Sequence, residues 1–180
     1  MSARDEILAR VRNALRDVPA DESPGDVAVP RGYLTAHAPD DPRSLAELLA
    51  RNLADYRAHV YRCAPDQLPE TIAGLLARRG ARSVAVPAGL PASWLSGIAA
   101  DCGDIRQVSD AARPTARDLD AVDSVVTGCA LAIAETGTIV LDGGPGQGRR
   151  ALTLWPDHHV CVVRAPQQVV ASVPLALPLL

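Results

Sequence analysis

The sequence predicts an α/β fold in which helices cover both faces of a mainly parallel sheet. From residue 44 onward, short apolar segments alternate with segments of helical periodicity, which is the order expected of βαβ units. The chain has 180 residues, of which 48% are hydrophobic, enough for one globular domain with a buried core. It contains 31 Ala and no Phe, so we expect a core of Ala, Val, Leu and Ile side chains.

The N-terminal region is predicted to be a helix followed by an extended arm. Residues 3–16 carry apolar side chains at spacings of three and four, and Ser2 is a suitable N-cap with Asp5 three residues later. The residues that follow contain five prolines and no hydrophobic period, which is typical of a linker. We therefore predict two parts, a helix with a proline-rich arm over 1–43 and an α/β domain over 44–180.

The α/β domain is predicted to alternate between helices and strands. Helices are predicted over residues 44–58, 65–79, 91–102 and 166–177. Strands are predicted over residues 60–63, 83–87, 105–109, 121–127, 138–141 and 158–164. Gly80 is expected to end the second helix, and residues 128–137 are expected to connect two strands. The apolar stripe of the first helix consists of Leu45, Leu48, Leu49, Leu53 and Tyr56.

The composition argues against several classes of partner. The formal net charge is -3, so no overall positive field favours binding to nucleic acid or to an anionic membrane. All 18 basic residues are Arg, which excludes a Schiff-base lysine and the lysine of a Walker-A loop. The sequence begins with polar residues and has no apolar run of transmembrane length, so we expect a cytoplasmic protein that does not enter the membrane.

The cysteines and histidines do not form a metal or cofactor motif. The four cysteines are Cys63, Cys102, Cys129 and Cys161. They are too far apart for the close spacing of zinc or iron–sulfur ligands, and we predict buried free thiols. His158 and His159 are adjacent in a predicted strand, so their rings point to opposite faces. We predict one hydrogen-bonded core histidine and one facing the loops, and we expect no metal and no cofactor in this chain.

The segment A-E-T-G-T, residues 134–138, is the first candidate for chemistry. It precedes an apolar strand, and the ligand sites of open α/β sheets collect at loops beside strand ends. The carboxylate of Glu135 could act as a nucleophile or a general acid/base, with Thr136, Gly137 and Thr138 binding a ligand. The alternative is structural: the carboxylate pairs with an arginine or caps a backbone turn, and the threonines make turn hydrogen bonds.

The glycine-rich segment D-G-G-P-G-Q-G-R-R, residues 142–150, is the second candidate. Glycine amides such as those of Gly146 and Gly148 can form an anion-binding nest, and Arg149 and Arg150 can bind a phosphate or a carboxylate. The segment lacks the G-x-G-x-x-G pattern, and no helix is predicted after it, so a dinucleotide site is not indicated. The alternative is a flexible hairpin connection with solvated arginines, and the composition favours neither interpretation.

The residues around these candidates resemble the LUD-domain family, and within it the lactate-utilization protein C group. The resemblance rests on A-I-A-E-T-G-T-I-V-L at 132–141 and on G-R-R-A-L-T-L-W-P-D-H-H-V-C-V-V at 148–163, and it is densest over 122–175. It implies a three-layer α/β/α sandwich similar to the NagB/RpiA/CoA-transferase group. It also implies a part in the oxidation of L-lactate to pyruvate, together with two other subunits that carry iron–sulfur clusters.

The sequence departs from the family near its C-terminal residue. Members usually continue into another strand and a Gly-Pro-Ser motif followed by D-I-E, whereas this sequence ends at Leu180 after a segment rich in proline and leucine. The resemblance therefore implies that the α/β domain is C-terminally incomplete here and that part of its pocket is missing.

Three functions are open on these grounds, and we favour the first. It is an accessory subunit of a cytosolic complex that oxidises L-lactate to pyruvate, with iron–sulfur protein subunits as partners and no cluster of its own. The second is an enzyme similar to CoA-transferases or sugar-phosphate isomerases, in which Glu135 is the nucleophile or base and residues 143–150 hold the substrate's phosphate or carboxylate. The third is a module that senses a small organic acid or a phosphorylated ligand through Arg149 and Arg150.

Overall fold

The chain forms two compact units in a computed structural model. The units are Met1–Leu34 and Thr35–Leu180. The structure describes residues 2–19, 21–23, 25, 28–30, 32–38, 41–98 and 105–180. We call the second one the α/β unit; the domain boundary between residues 43 and 44 stays a prediction.

The first unit contains one helix, α1 (Ala3–Ala14), among its described residues. The predicted cap is confirmed: the Asp5 amide donates to Ser2 Oγ at 3.2 Å, and the Ser2 amide donates to Asp5 Oδ2 at 3.0 Å. The helix buries no side chain, and its apolar residues Ile7 and Val11 are exposed. Its amphipathic pattern therefore exists without a buried face in this unit.

The described part of the α/β unit has seven strands in two sheets. The strands are β1 (Ser83–Val86), β2 (Arg106–Ser109), β3 (Ser124–Thr127), β4 (Leu131–Ile133), β5 (Thr138–Val140), β6 (His159–Cys161) and β7 (Val169–Val170). The main sheet has the order β2-β1-β3-β6 and all its strands are parallel. The small sheet has the order β5-β4-β7, with β4 antiparallel to β5 and parallel to β7. The predicted mainly parallel sheet is confirmed.

Helices pack on both faces of the main sheet. The helices of the unit are α2 (Pro42–Asp55), α3 (Leu68–Arg79), α4 (Ala116–Asp120), α5 (Arg150–Leu154) and α6 (Val173–Ala176). The core on the α3 face includes Ile72, Leu76, Val84, Val126 and Val160. The core on the face of α4 and α5 includes Ala85, Leu119, Val122, Val125 and Leu152. Successive residues of β1 and β3 therefore serve opposite cores, as the alternation of side chains in a strand requires, and the predicted α/β layering is confirmed.

The small sheet is covered in the same way. One face packs on α2 through Leu45, Leu49, Ala132, Ala134 and Ala171. The other face packs on α6 through Leu131, Ile133 and Ala176. Among the described residues, no helix has both the length and the apolar composition needed to cross a membrane.

The predicted helix over 65–79 is confirmed with a refinement at its start. A 3-10 turn, Pro65–Gln67, precedes α3, and Gly80 ends the helix in the left-handed conformation with a φ of 69°. Within the helix predicted over 91–102, the described residues form a 3-10 helix, Ala92–Leu95, and Ile98 is helical, whereas residues 99–104 lie outside the described part of the chain. The prediction for Cys102 falls there.

Several other element predictions were wrong. Residues 60–63 form no strand, because this run is exposed and finds no strand to pair with; Tyr61 instead lies 5.1 Å from the guanidinium of Arg78. The connection predicted over 128–137 contains β4, and the helix predicted over 166–177 contains β7 and the short α6. Helices α4 and α5 were not predicted, because five residues are too few to show a helical period.

Two predictions about burial were also wrong. Tyr56 was placed in the apolar stripe of α2 but is 76% exposed, because the helix ends at Asp55. Cys63 was predicted to be a buried thiol but is exposed in the irregular segment after α2.

Candidate functional site

The A-E-T-G-T segment forms the turn between β4 and β5 in the small sheet. Glu135 accepts two hydrogen bonds at Oε1, from the backbone amides of His37 at 2.5 Å and Ala38 at 2.8 Å. These bonds, that of His37 first, hold the pKa of the Glu135 carboxyl below its usual value, while burial acts in the opposite direction. The carboxylate is therefore ionised at neutral pH and bound to the segment that precedes α2.

Helix α2 holds the same turn from a second side. Asn52 Nδ2 donates to the carbonyl oxygens of Ala134 at 2.8 Å and Glu135 at 3.0 Å. Gly137 has a φ of 62°, and a Cβ at this position would lie 3.0 Å from the carbonyl carbon and from the Cβ of Asn52. The glycine is therefore required both by its backbone conformation and by its close approach to α2.

The two threonines of the turn are exposed. Thr136 Oγ1 donates to Thr138 Oγ1 at 2.9 Å, a hydrogen bond within the turn. Ligand binding by Thr136, Gly137 and Thr138, and catalysis by Glu135, stay predictions.

The glycine-rich loop lies over the carboxyl ends of the main-sheet strands. The Gly146 amide donates to the carbonyl of Ala88 after β1, and the Gly146 carbonyl accepts from the amide of Gly128 after β3, both at 2.8 Å. Gly148 has a φ of 75°, and a Cβ there would lie 3.0 Å from the Cβ of Pro87. The loop thus occupies the edge at which open α/β sheets bind ligands.

Much of the predicted anion-binding nest is engaged with protein acceptors. Backbone amides that donate within the chain are those of Asp142, Gly144, Gly146, Gln147 and Arg149. Gln147 is buried, with Oε1 accepting from the Asp142 amide at 2.8 Å and Nε2 donating to Asp142 Oδ1 at 2.7 Å. An anion that used these amides would have to replace existing hydrogen bonds.

The two arginines at the end of the loop have different environments. Arg149 Nε donates to Asp110 Oδ1 at 2.7 Å, and its guanidinium also donates to the carbonyl of Pro114. This ion pair fastens the loop to the residues that follow β2. Arg150 is exposed at the first position of α5. Arg150 is therefore the better placed of the two to meet a ligand.

The structure does not bring the two predicted halves of the site together. The A-E-T-G-T turn closes the β4–β5 hairpin, whereas the glycine-rich loop begins where β5 ends. Each of these strands has three residues, so the two segments are separated by roughly 10 Å along the hairpin. Glu135 and the arginines accordingly belong to different places on the α/β unit.

A cluster that the sequence analysis missed lies where β3 and β6 end, and we call Thr127, Cys129, His159 and Cys161 the thiol cluster. Thr127 is opposite Cys161 in the parallel register, and His159 Nε2 is 2.7 Å from Thr127 Oγ1. Cys161 Sγ lies 3.7 Å from the carbonyl oxygen of Gly128, and Cys129 Sγ lies 3.7 Å from the carbonyl oxygen of Val162, so each sulfur is beside the backbone next to the other cysteine. The sequence contained one clue, the spacing H-V-C, which puts His159 and Cys161 on the same face of a strand.

The thiol cluster separates the pKa values of its two cysteines. A hydrogen bond from Cys129 lowers the pKa of the Cys161 thiol below its usual value, with further lowering by His159 and Thr127 against the effect of burial. The pKa of Cys129 is raised, first by its hydrogen bond with Cys161 and then by burial. The pair therefore favours a thiolate at Cys161 that accepts the proton of the Cys129 thiol.

Both histidines of the W-P-D-H-H segment bond to hydroxyls of β3. His158 Nδ1 is 2.8 Å from Ser124 Oγ, and burial lowers the pKa of this ring, assisted by the charge of Arg79 and by His159. Both rings are hydrogen-bonded and only partly buried, so the predicted hydrogen bond is present but neither histidine is fully buried in the core. Within the described residues, no group of three or more His, Cys, Asp or Glu side chains is placed to hold a metal ion.

Two open clefts lie away from these segments. One, of about 390 Å³, lies at the amino-terminal edge of the main sheet, beside Asp123 and Trp155. The other, of about 260 Å³, lies along α2 beside Glu47 and Arg51. Neither is lined by a residue of 134–138 or 142–150.

Comparison with known proteins agrees with the fold described above. Residues 46–180 match the LUD domain. The chain belongs to the LUD-domain family. It is 46% identical over 131 residues to Lactate utilization protein C of Deinococcus radiodurans, an alignment that covers 71% of this chain and 58% of that protein. The chain thus spans less than two thirds of that relative's length.

A solved structure supports the same assignment. The crystal structure of a DUF162 family protein from Deinococcus radiodurans is similar with a TM-score of 0.71 at 40% identity, over 78% of this chain and 80% of that chain. The LUD domain matched here includes both sheets, the A-E-T-G-T turn, the glycine-rich loop and the thiol cluster. Similarity to the NagB/RpiA/CoA-transferase group stays a prediction.

Proposed function

We propose that this LUD domain serves lactate utilization, as an accessory subunit of a cytosolic system that oxidises L-lactate to pyruvate. The observation that carries the proposal is the 46% identity to a protein named Lactate utilization protein C. In this proposal the iron–sulfur clusters that accept electrons from lactate belong to partner subunits.

Two features of the chain support an accessory role. The first is the engagement of the strongest acid/base candidate, because Glu135 Oε1 binds the amides of His37 and Ala38. The second is that Arg149 binds Asp110 and the carbonyl of Pro114, and not the turn that carries Glu135. A single site that joins a nucleophile to an anion-binding loop is thus not assembled from the predicted residues.

Growth and co-purification test the proposal. Deletion of the encoding gene should abolish or slow growth on L-lactate as sole carbon source and leave growth on pyruvate unchanged. A tagged chain should co-purify with proteins that carry iron and acid-labile sulfide. Normal growth on lactate after deletion, together with purification of the chain alone, would contradict the proposal.

A CoA-transferase-like enzyme is the second candidate, and one feature of Glu135 favours it. Both hydrogen bonds converge on Oε1 of an ionised, half-buried carboxylate, so Oε2 is the oxygen that could attack a thioester. Incubation with an acyl-CoA followed by hydroxylamine should then label Glu135 in the wild type and not in Glu135→Gln. If Glu135→Gln restores growth on lactate as well as the wild type does, this candidate is excluded.

A further inference from the structure

We propose that Cys161 and Cys129 form a reversible redox site, in which a peroxide oxidises Cys161 and Cys129 then closes an intrachain disulfide. The proposal does not depend on the lactate function. It uses two side chains that the fold places beside each other although 32 positions separate them in the sequence.

The parallel pairing of β3 and β6 creates this contact. Thr127 and Cys161 are partners in the register, and Cys129 lies two residues beyond Thr127, on the same side of the extended chain. Each sulfur also lies beside the other segment's backbone: Cys129 Sγ is 3.7 Å from the carbonyl oxygen of Val162, and Cys161 Sγ is 3.7 Å from the carbonyl oxygen of Gly128. Each sulfur is therefore positioned next to a direct chain neighbour of the other cysteine.

The cluster assigns different roles to the two cysteines. Cys161 is partly exposed, whereas Cys129 is only 5% exposed, so a peroxide in solvent reaches Cys161 first. The ring of His159, held by Thr127, and the thiol of Cys129 both stabilise the thiolate of Cys161. Cys161 is thus the attacking residue, and Cys129 is the resolving residue.

The surroundings of Cys129 favour closure over further oxidation. Gln168 Nε2 donates to the Cys129 carbonyl at 2.6 Å, and Gln168 Oε1 lies 3.8 Å from Cys129 Sγ. The side chain of Cys129 is thereby kept beside Cys161. Because the resolving thiol already lies beside it, a sulfenic acid at Cys161 is consumed before a second peroxide arrives.

The chemistry balances with hydrogen peroxide as the only oxidant. The Cys161 thiolate attacks one peroxide oxygen, the O–O bond breaks, and hydroxide leaves, giving a sulfenic acid at Cys161. The Cys129 sulfur then attacks the Cys161 sulfur, the S–O bond breaks, and water leaves with the thiol proton and the sulfenic oxygen. The two cysteines are oxidised by two electrons and the peroxide is reduced by two. A dithiol reductant reverses the step.

Tryptic mapping of the full chain tests the proposal directly. The chain has no lysine, so trypsin cuts only after arginine and places every cysteine on its own peptide: residues 63–78, 83–106, 118–149 and 151–164. After treatment with a small excess of peroxide, we expect residues 118–149 linked to 151–164, with a loss of about 2 Da that dithiothreitol reverses. The proposal is overturned if 151–164 stays unlinked while the exposed Cys63 is oxidised, or if it is linked to 63–78 or 83–106.

Two variants and a matched control separate the roles. In Cys129→Ser, Cys161 should stop at the sulfenic acid, which dimedone traps. In His159→Asn, alkylation of Cys161 by iodoacetamide at pH 6 should slow by about ten-fold, because less of it is thiolate. Cys63→Ala removes an exposed thiol elsewhere and should leave the linked peptide unchanged. Equal disulfide yield in Cys129→Ser and in the wild type would overturn the assignment of the resolving residue.

Discussion

Replacement of Gly137 by alanine should destabilise the LUD domain, and the structure gives the reason and the size. An alanine at a φ of 62° costs roughly 1 kcal/mol of left-handed backbone strain. Its Cβ would lie 3.0 Å from two atoms of Asn52, one of them in the backbone of α2, and crowding of this kind costs about 1–3 kcal/mol. Because alanine lowers the conformational entropy of the unfolded chain, it also stabilises the fold by about 0.5 kcal/mol. We therefore expect the free energy of unfolding to fall by about 2 kcal/mol in total.

The same substitution at Gly74 is the matched control, and it should have the opposite sign. Gly74 lies inside α3, and a Cβ built there has no atom within 4 Å. Alanine is a better helix former than glycine by about 0.5–1 kcal/mol, so Gly74→Ala should stabilise the domain by about that amount. The two variants therefore change the composition identically and differ only in backbone conformation and space.

Urea unfolding followed by far-UV circular dichroism measures both changes. At a few degrees for each kcal/mol, Gly137→Ala should also lower the Tm by roughly 4–8 °C, and Gly74→Ala should raise it by roughly 2 °C. If the free energy of unfolding of Gly137→Ala is within about 0.5 kcal/mol of that of the wild type, the contact with Asn52 is not what requires glycine in the A-E-T-G-T turn. A loss of stability in both variants would refute the argument from space.

Three further predictions concern charged and ionisable side chains. Arg149→Ala should lower the free energy of unfolding by about 1 kcal/mol, because a half-exposed ion pair is lost, whereas Arg150→Ala should change it by less than about 0.5 kcal/mol in the same urea assay. Asp123 accepts hydrogen bonds from the hydroxyl and the amide of Ser83, and these bonds, that of the hydroxyl most strongly, hold the pKa of the Asp123 carboxyl below its usual value. The contribution of Asp123 to the free energy of unfolding is thus present above pH about 4 and is lost as the pH falls through the folded-state pKa. Asp123→Asn should therefore be less stable than the wild type by about 1 kcal/mol at pH 7 and equal to it in strong acid, and a constant difference across pH would contradict this account. Because the cluster lowers the pKa of Cys161, the rate of its reaction with iodoacetamide should rise by much less than about ten-fold per pH unit from pH 6 to 8, and a rise of about ten-fold per pH unit, typical of an ordinary thiol, would show that the cluster does not hold a thiolate.

The strands of the main sheet and the helices α1 and α3 could be predicted because their evidence is local. The cap at Ser2 and the stop at Gly80 each depend on a few neighbouring residues, and the sequence shows both. The successive apolar residues at 84–86 and at 125–126 are what a strand covered on both faces requires.

The small sheet could not be predicted because its strands have two or three residues. Two residues such as Val169 and Val170 become a strand only because β4 lies beside them, 36 or more positions away in the sequence. The same logic explains the error over 60–63, where four residues with strand propensity find no partner. Pairing between distant segments determines these elements, and no local sequence pattern indicates such pairing.

The thiol cluster was missed for a related reason. The sequence shows scattered cysteines, and their spacing matches no metal-ligand motif. What brings Cys129 to Cys161 is the adjacency of β3 and β6, and strand order cannot be read from the spacing of the cysteines. The glycine-rich loop was located at a strand end correctly, but the partners of Arg149 come from the segment after β2, which lay outside the local pattern.

The A-E-T-G-T string is the strongest part of the family resemblance, and most of it has a packing role in this structure. Ala134 is fully buried against α2, Glu135 binds the amides of His37 and Ala38, and Gly137 fits against Asn52. All of these contacts reach α2 or the residues just before it, so the string fastens this part of the chain to the small sheet. The string is therefore accounted for without a chemical role, and its presence alone does not make Glu135 catalytic. Stability and growth on lactate, measured together in Glu135→Gln, separate the two roles: a fully stable but inactive variant requires chemistry at the carboxylate, whereas a parallel loss of both is what packing predicts.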